Sequence, residues 1–388
     1  MSIFIFVAVG ILLIALVAYA LIRRAQGKGL ITRALNLALY SIAVPVAEVE
    51  EGKTPKEQLE QLVVPMEQLL GYFAGLRASG FKALLYGQPY ITLELAVERG
   101  SKEITSYTAV PRVYESAFDK QLHSFFPHAE TKRIEDYSIF EEGGSVAGSE
   151  LRTSGHSILP LMTYKSLGVD PMSAIVTAMS GIAEEGEGTA IQLVVRPHDF
   201  GSERNQARKV LKEMREGHTF NSAIKRVKNE GTREVQEALS PKTKEQREEK
   251  EQRSSKQPAD EQIAEAIKNK ISKHHFGVNI RLVASAAASE RAWQIITELE
   301  AAFNQFDNPE GNSLRARRVS GRAIHKFIFN YVFRLPVAKG EALLSTEELA
   351  SFYHLRLSQT GVPSYKVLRH RAAEPPANLP KTGTVIGR

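Results

Sequence analysis

Residues Ile3 to Ile22 (IFIFVAVGILLIALVAYALI) run for 20 positions without a charge. That is the length a helix rising about 1.5 Å per residue needs to cross a bilayer core. Arg23 and Arg24 follow at once, then Lys28 and Arg33, and nothing charged precedes the run. The positive-inside rule then places the short N-terminus outside and the rest of the chain in the cytoplasm. Three other readings compete. A cleaved signal peptide would carry a positive n-region and a shorter apolar core; Ala18-Tyr19-Ala20 resembles a cleavage site, but Arg23-Arg24 disfavours export. A buried core helix would show a polar face, and a helix lying on the membrane would show a basic one. The expectation is an uncleaved signal anchor, a single-pass protein of the inner (cytoplasmic) membrane with the lipid bilayer as its first partner.

Composition narrows the remainder. The chain has 388 residues, room for two or three domains. Its 50 Lys and Arg against 44 Asp and Glu leave a formal charge of +6, too mild to imply nucleic acid by itself. With no cysteine there is no disulfide, thiolate metal site or cysteine nucleophile.

Taken in order, the anchor at 1–24 and a juxtamembrane linker at 25–36 lead into alternating elements. A strand is expected over Leu37–Val46 and a helix over Lys56–Leu76, with apolar residues at three-four spacing. Strands follow at Phe81–Tyr86, Tyr90–Val97 and Ile104–Val110, then a helix opened by Pro111 and a strand over Ala129–Phe140. Strand, helix, strand pair, helix, strand is the ferredoxin-like βαββαβ order. The chain after Gly148 repeats it, with Asp170-Pro171 as cap and first turn of a helix. A strand over Phe276–Ala286, a helix over Ser289–Phe306 and extended segments at Leu314–Val319 and Lys326–Arg334 complete the repeat. The expected fold is α+β: a transmembrane helix, a first unit at 37–142, a second at 143–199 plus 258–340, and a tail at 341–388. Between the second unit's parts, 200–257 is crowded with mixed charge and reads as a solvated insertion, helical or disordered. In the tail, Ser345 to Leu349 starts a helix.

Chemistry-bearing motifs are weak. Gly52-Lys53-Thr54 has Ala47 where a phosphate loop needs its first glycine, and Glu50-Glu51 where phosphate oxygens would lie. His274-His275 lack a third ligand, and Ser154-Gly155-His156-Ser157 has no acid or oxyanion helix. No catalytic residue, cofactor or metal site is expected, and the chain reads as a non-enzyme. Arg315, Arg317, Arg318 and Arg322 form the densest basic cluster outside the juxtamembrane segment, a candidate for phosphate contact with DNA, against the alternative of a solvated strand face paired with nearby acids.

Four segments carry a resemblance. They are YTAVPRVYESAFDKQLHSFFPHAETKRIEDY from Tyr107, PLMTYKSLGVDPMSAIVTAMSGIAEEGEGTAIQLVVRP from Pro160, LLSTEELASFYHL from Leu343 and RAAEPPANLP from Arg371. Together, behind an anchor, they resemble the N-terminal, pre-ATPase region of a bacterial family of membrane-anchored, type IV secretion-like (conjugation-type) ATPases. In that family the proline-rich strap leads into a RecA-like motor with the phosphate loop. This chain ends first, so the resemblance implies a motor on a separate chain or a missing C-terminal domain. The expected role is a membrane-anchored, non-catalytic platform of a DNA- or protein-translocation apparatus, with a homo-oligomeric (hexameric) assembly to match the motor. Glu374, Pro375, Pro376, Leu379, Val385 and Ile386 would form the strap that docks the motor. A membrane-tethered nucleic-acid-binding protein without a motor is the alternative, and an enzyme of unrecognised chemistry a third reading.

Overall fold

In Ile91–Val97 (ITLELAV) apolar residues alternate with Thr92, Glu94 and Ala96, and all seven are buried. A strand with a charge at its centre and no exposed residue must be covered on both faces, and the structure is built that way. The computed structural model describes residues 29–45, 52–78, 87–181, 186–229, 258–357 and 365–367.

The strands are β1 (Leu37–Ala43), β2 (Ile91–Val97), β3 (Ile104–Pro111), β4 (Glu130–Ile134), β5 (Ser145–Thr153), β6 (Gly188–His198), β7 (His275–Ala286), β8 (Leu314–Val319) and β9 (Ala342–Ser345). They form one nine-stranded sheet in the order β4-β1-β3-β2-β6-β7-β5-β8, with β9 beside the start of β7. All strand pairs are antiparallel. The helices are α1 (Pro55–Phe73), α2 (Glu115–Phe125), α3 (Tyr164–Leu167), α4 (Pro171–Ser180), α5 (Gly201–Arg215), α6 (Phe220–Lys228), α7 (Pro258–Ser272), α8 (Ser289–Phe303), α9 (Ala323–Val332) and α10 (Thr346–Phe352).

Local chemistry sets the helix starts. Thr54 and Glu57 close a capping box on α1, as do Ser345 and Glu348 on α10, and Asp170 caps α4 ahead of Pro171. Helices α1, α2, α4, α8 and α10 contribute their apolar faces to one core. The sheet meets them there with Ile91, Leu93, Leu95 and Val97 of β2, Leu193 of β6 and Leu282 of β7. On the opposite face α9 packs through Phe327 and Tyr331 against Val283, Val319 and Ala190. A third cluster joins α5, α6 and α7 through Val210, Leu211, Ile224 and Ile267 to Ile158, Leu159 and Phe200. Lys270 of α7 holds this cluster to α10: its Nζ donates to Glu348 at 3.0 Å and to the carbonyls of Leu159 and Leu343. Both side chains of that ion pair are 1% exposed.

The structure departs from the sequence expectations in several places. The second half keeps the strand-helix-strand-strand-helix-strand order, but the sheet is larger than two ferredoxin-like units. Strands β2 and β6 pair over seven residues, so the halves share one sheet, and β9 extends it. Among the described residues no helix is long and apolar enough to cross a membrane. The transmembrane helix and the single-pass inner-membrane localisation are therefore not carried forward; Ile3, Ile22, Arg23 and Arg24 lie outside the described residues. Residues 201–228 take the helical alternative of the expected insertion, as two helices that pack on Ile158, Leu159 and Phe200, and 230–257 lie outside the described residues. So does the strand expected at Phe81–Tyr86. Lys326–Arg334, expected extended, falls mostly within α9.

His275, at the start of β7, gives this packing a pH signature. It is 3% exposed, its ring stacks parallel on Phe200 at a centroid distance of 3.6 Å, and neither ring nitrogen has a hydrogen-bond partner among the described residues. Burial, reinforced by Lys270 and Arg204, pushes its pKa down to about 3. The folded chain thus keeps His275 neutral while the unfolded chain protonates it near the ordinary 6.5. Its contribution to stability is complete above about pH 6.5 and is lost progressively as pH falls towards 3. Chemical denaturation at pH 7 and pH 4.5 should show His275→Phe losing less stability between the two than the parent protein; equal losses would contradict the assignment.

Candidate functional site

Strand register lines up polar residues across the face that carries α9. Opposite one another stand Ser41 and Tyr107, Tyr107 and Glu94, Glu94 and Gln192, Gln192 and Arg281, Arg281 and Glu150, and Glu150 and Arg317. The row crosses seven neighbouring strands. Glu94 is 0% exposed and Arg281 1%, so each charge needs hydrogen-bonding partners to remain ionised inside the protein.

Those partners come from the neighbouring strand β6, from Tyr137 after β4, and from α9 and its C-terminus. Gln192 bridges the opposite charges: its Nε2 donates to Glu94 at 3.0 Å and its Oε1 accepts from Arg281 at 2.8 Å. Arg281 also donates to the carbonyls of Asn330 and Leu335, while Gln192 donates to that of Tyr331. A guanidinium thus sits at the negative end of the helix dipole, where cations are stabilised. Burial pushes the Arg281 pKa down to about 10, which still leaves it charged at neutral pH.

Arg334 completes the network from a conformation unusual for arginine. The chain leaves α9 by a Schellman turn, with Leu335 N bonded to Asn330 O and Arg334 N to Tyr331 O. Arg334, at φ 53°, occupies the left-handed position normally held by glycine. That conformation costs roughly 1 kcal/mol for a residue with a Cβ. The turn aims the guanidinium at Glu94, 3.0 Å away, and at Asp136, 2.9 Å away. Burial works against the Arg334 charge, but Glu94, Tyr137 and Asp136 outweigh it and hold its pKa above the ordinary arginine range. Gly148 of β5 lets α9 lie this close, since a Cβ there would fall 2.2 Å from the Phe327 ring.

Beside the network opens a cavity of about 470 Å³, lined by Glu98, Asp136, Tyr137, Phe140, Tyr331 and Arg334 among others. Tyr137 stacks on Tyr107 at 4.4 Å and donates to Glu94 at 2.7 Å, and Tyr331 donates to Tyr137 at 3.1 Å. Burial first, and Glu94 next, push both the Tyr137 and Tyr331 hydroxyls up, so they stay protonated donors. Val332 also lines the cavity, and on the outer side of α9 it stands exposed with Phe329, whose ring contacts Phe333 at 4.6 Å. The arrangement offers an aromatic recess with an apolar rim, fixed from beneath by ion pairs. Among the described residues no group of three or more His, Asp or Glu side chains could hold a metal ion.

The arginines singled out from sequence do not form one patch. Arg315 and Arg317 project on the α9 face of edge strand β8, Arg315 paired with Asp307 at 3.0 Å and Arg317 with Glu150 at 3.1 Å. Arg318 projects on the opposite face and pairs with Glu300 at 2.7 Å. Arg322 is exposed at the start of α9. Glu374, Pro375, Pro376, Leu379, Val385 and Ile386 lie outside the described residues. Sequence reading missed Glu94, Gln192, Arg281 and Arg334. The available signal was a charge at the centre of an apolar strand, in ITLELAV and again in VNIRLVA.

The buried network predicts strong coupling. Glu94→Ala should lower stability by about 3–5 kcal/mol, because it leaves Arg334 buried and short of its main partner. In a double-mutant cycle with Arg334→Ala, measured by urea denaturation, the pair should couple by more than about 1 kcal/mol. Simple additivity would show that the ion pair does not hold α9.

Comparison with known proteins gives one family. A model described as Domain of unknown function (DUF8128) matches residues 66–364, most of the chain. No curated protein matches.

Proposed function

We propose that this chain, which belongs to the DUF8128 family, is a non-catalytic platform that docks a RecA-like motor of a DNA- or protein-translocation apparatus. The observation that carries the docking role is the outer surface of α9. Phe329 is 43% exposed and Val332 38% exposed, and Val332 also lines the aromatic recess. Exposed aromatic and aliphatic side chains around a recess are the usual anchors of a protein interface. The ionic network behind α9 ties the helix to the sheet, which limits the backbone ordering that a partner seating on it would require. The choice of a motor as partner comes from the four segments resembling pre-ATPase regions of conjugation-type ATPases.

The test is co-purification of the chain with a RecA-like ATPase encoded beside it. Phe329→Asp combined with Phe333→Asp should abolish co-purification while leaving the melting midpoint of the chain alone within a few degrees. Retention of the ATPase by the double variant would remove α9 as the docking surface. Nucleotide turnover by the purified chain would refute the non-catalytic reading.

A further inference from the structure

We infer that the outer edge of β8 is a second binding surface, one that takes an extended acidic segment of another protein as an added strand. This does not depend on the α9 docking surface or on the motor as partner.

Strand β8 ends the strand order, and among the described residues only β5 pairs with it. Just beyond the ladder Ser154 N donates to Ser313 O at 2.9 Å. In an antiparallel pair the residues that bond inward alternate with those that bond outward. Following the register from Ser313, Arg315, Arg317 and Val319 bond towards β5. Leu314, Ala316 and Arg318 therefore turn their backbone groups away from the sheet. The Leu314 pair is satisfied at home: its N–H donates to Asp307 at 2.8 Å and its carbonyl accepts from Arg315. No hydrogen bond to the backbone of Ala316 or Arg318 occurs among the described residues. Residues 315–318 are all exposed, so the unpaired edge is open.

Side-chain chemistry then selects the strand that fits. Arg315 is 65% exposed, Arg317 59% and Arg318 48%. Each touches a carboxylate, but Glu150 is shared between Arg317 and Arg152, which leaves positive charge in excess. Partly exposed pairs of this kind contribute only about 0–1 kcal/mol, so an incoming carboxylate can share or replace the resident one. A guanidinium has five N–H donors and can serve two acceptors. Side chains of an added strand alternate between faces as those of β8 do. Carboxylates at every second position would meet Arg315 and Arg317 on one face. The intervening residues would lie beside Ala316, whose small side chain leaves room. The opposite edge, β4, carries Glu130 beside Lys132 and Arg133 and offers no such single-sign row.

The experiment titrates the full chain into a fluorescein-labelled peptide of alternating Glu and Val, read by polarisation. Three perturbations separate the contributions. The same peptide N-methylated at alternate residues keeps its charges but cannot pair as a strand on the methylated edge. Ala316→Pro removes an outward N–H and leaves the β5 ladder intact, as proline on an edge strand does. Arg315→Gln with Arg317→Gln removes the charge complement. The expected result is saturable binding to the parent peptide, weakened about tenfold or more by each perturbation, a loss matching one lost strand contact or two modest ion pairs. Absence of binding to the parent peptide overturns the inference. Equal binding of the N-methylated peptide also overturns it, and this arm does not depend on any variant folding. A duplex oligonucleotide that binds more tightly than the peptide, and whose affinity Ala316→Pro leaves unchanged, would replace it with a phosphate-contacting patch.

Discussion

A buried carboxylate in the middle of a sheet dictates much of what surrounds it. Glu94 is fully enclosed on β2, between Tyr107 of β3 and Gln192 of β6. An ionised carboxylate without partners would cost several kcal/mol there. The chain answers with three donors of different origin: Gln192 from the neighbouring strand, Tyr137 from the segment after β4, and Arg334 from beyond α9. Those donors come from widely separated parts of the chain. The network therefore specifies where α9 lies as well as how firmly it lies there. Removing the polar row in favour of apolar residues could be tolerated energetically, but it would surrender the register that places α9 over β5 and β7.

Arg281 shows the same logic from the side of positive charge. Among the described residues its guanidinium has no carboxylate in contact, and it is balanced by Gln192 and by carbonyls at the C-terminus of α9. Helix α9 thus closes over two opposite charges that reach each other through one amide. Its strained C-terminal residue fits this account, because the left-handed Arg334 directs a side chain that glycine could not supply. The local strain is outweighed by two ion pairs, one to the fully buried Glu94 and one to the half-exposed Asp136.

How much of this was legible in the sequence depends on whether the cause is local. Helix starts were, because capping is decided within four residues: Asp170-Pro171 and Ser345 to Glu348 begin helices as their residue types require. The strands with strong apolar alternation were also legible. Helix α9 was not. AIHKFIFNYV is rich in aromatic and β-branched residues, which favour strands, and its apolar residues occupy both faces. It is helical because Phe327 and Tyr331, four residues apart, fit the sheet above Gly148 while Phe329 and Val332 remain outside. That is a tertiary cause, invisible in a window. The joining of β2 to β6 was hidden for the same reason, since both strands read as buried whichever neighbour they have.

The candidate site escaped sequence reading because its members are ordinary in isolation. A single Glu in β2, a Gln in β6 and an Arg in β7 carry no spacing motif; register alone makes them a row. The arginines of β8 fail in the opposite sense. Close spacing in sequence suggested a patch, but successive side chains of a strand point to opposite faces, so Arg317 and Arg318 meet different acids on different sides. In a sheet protein, residues two apart on one strand, or directly opposite on the next, share chemistry, whereas adjacent residues do not. Applied along the whole face, that rule joins Glu94 to Arg281 through Gln192 and connects Arg281 onward to Glu150 and Arg317. The buried network is consequently the middle of a polar row that runs out, at Arg317, onto the open edge.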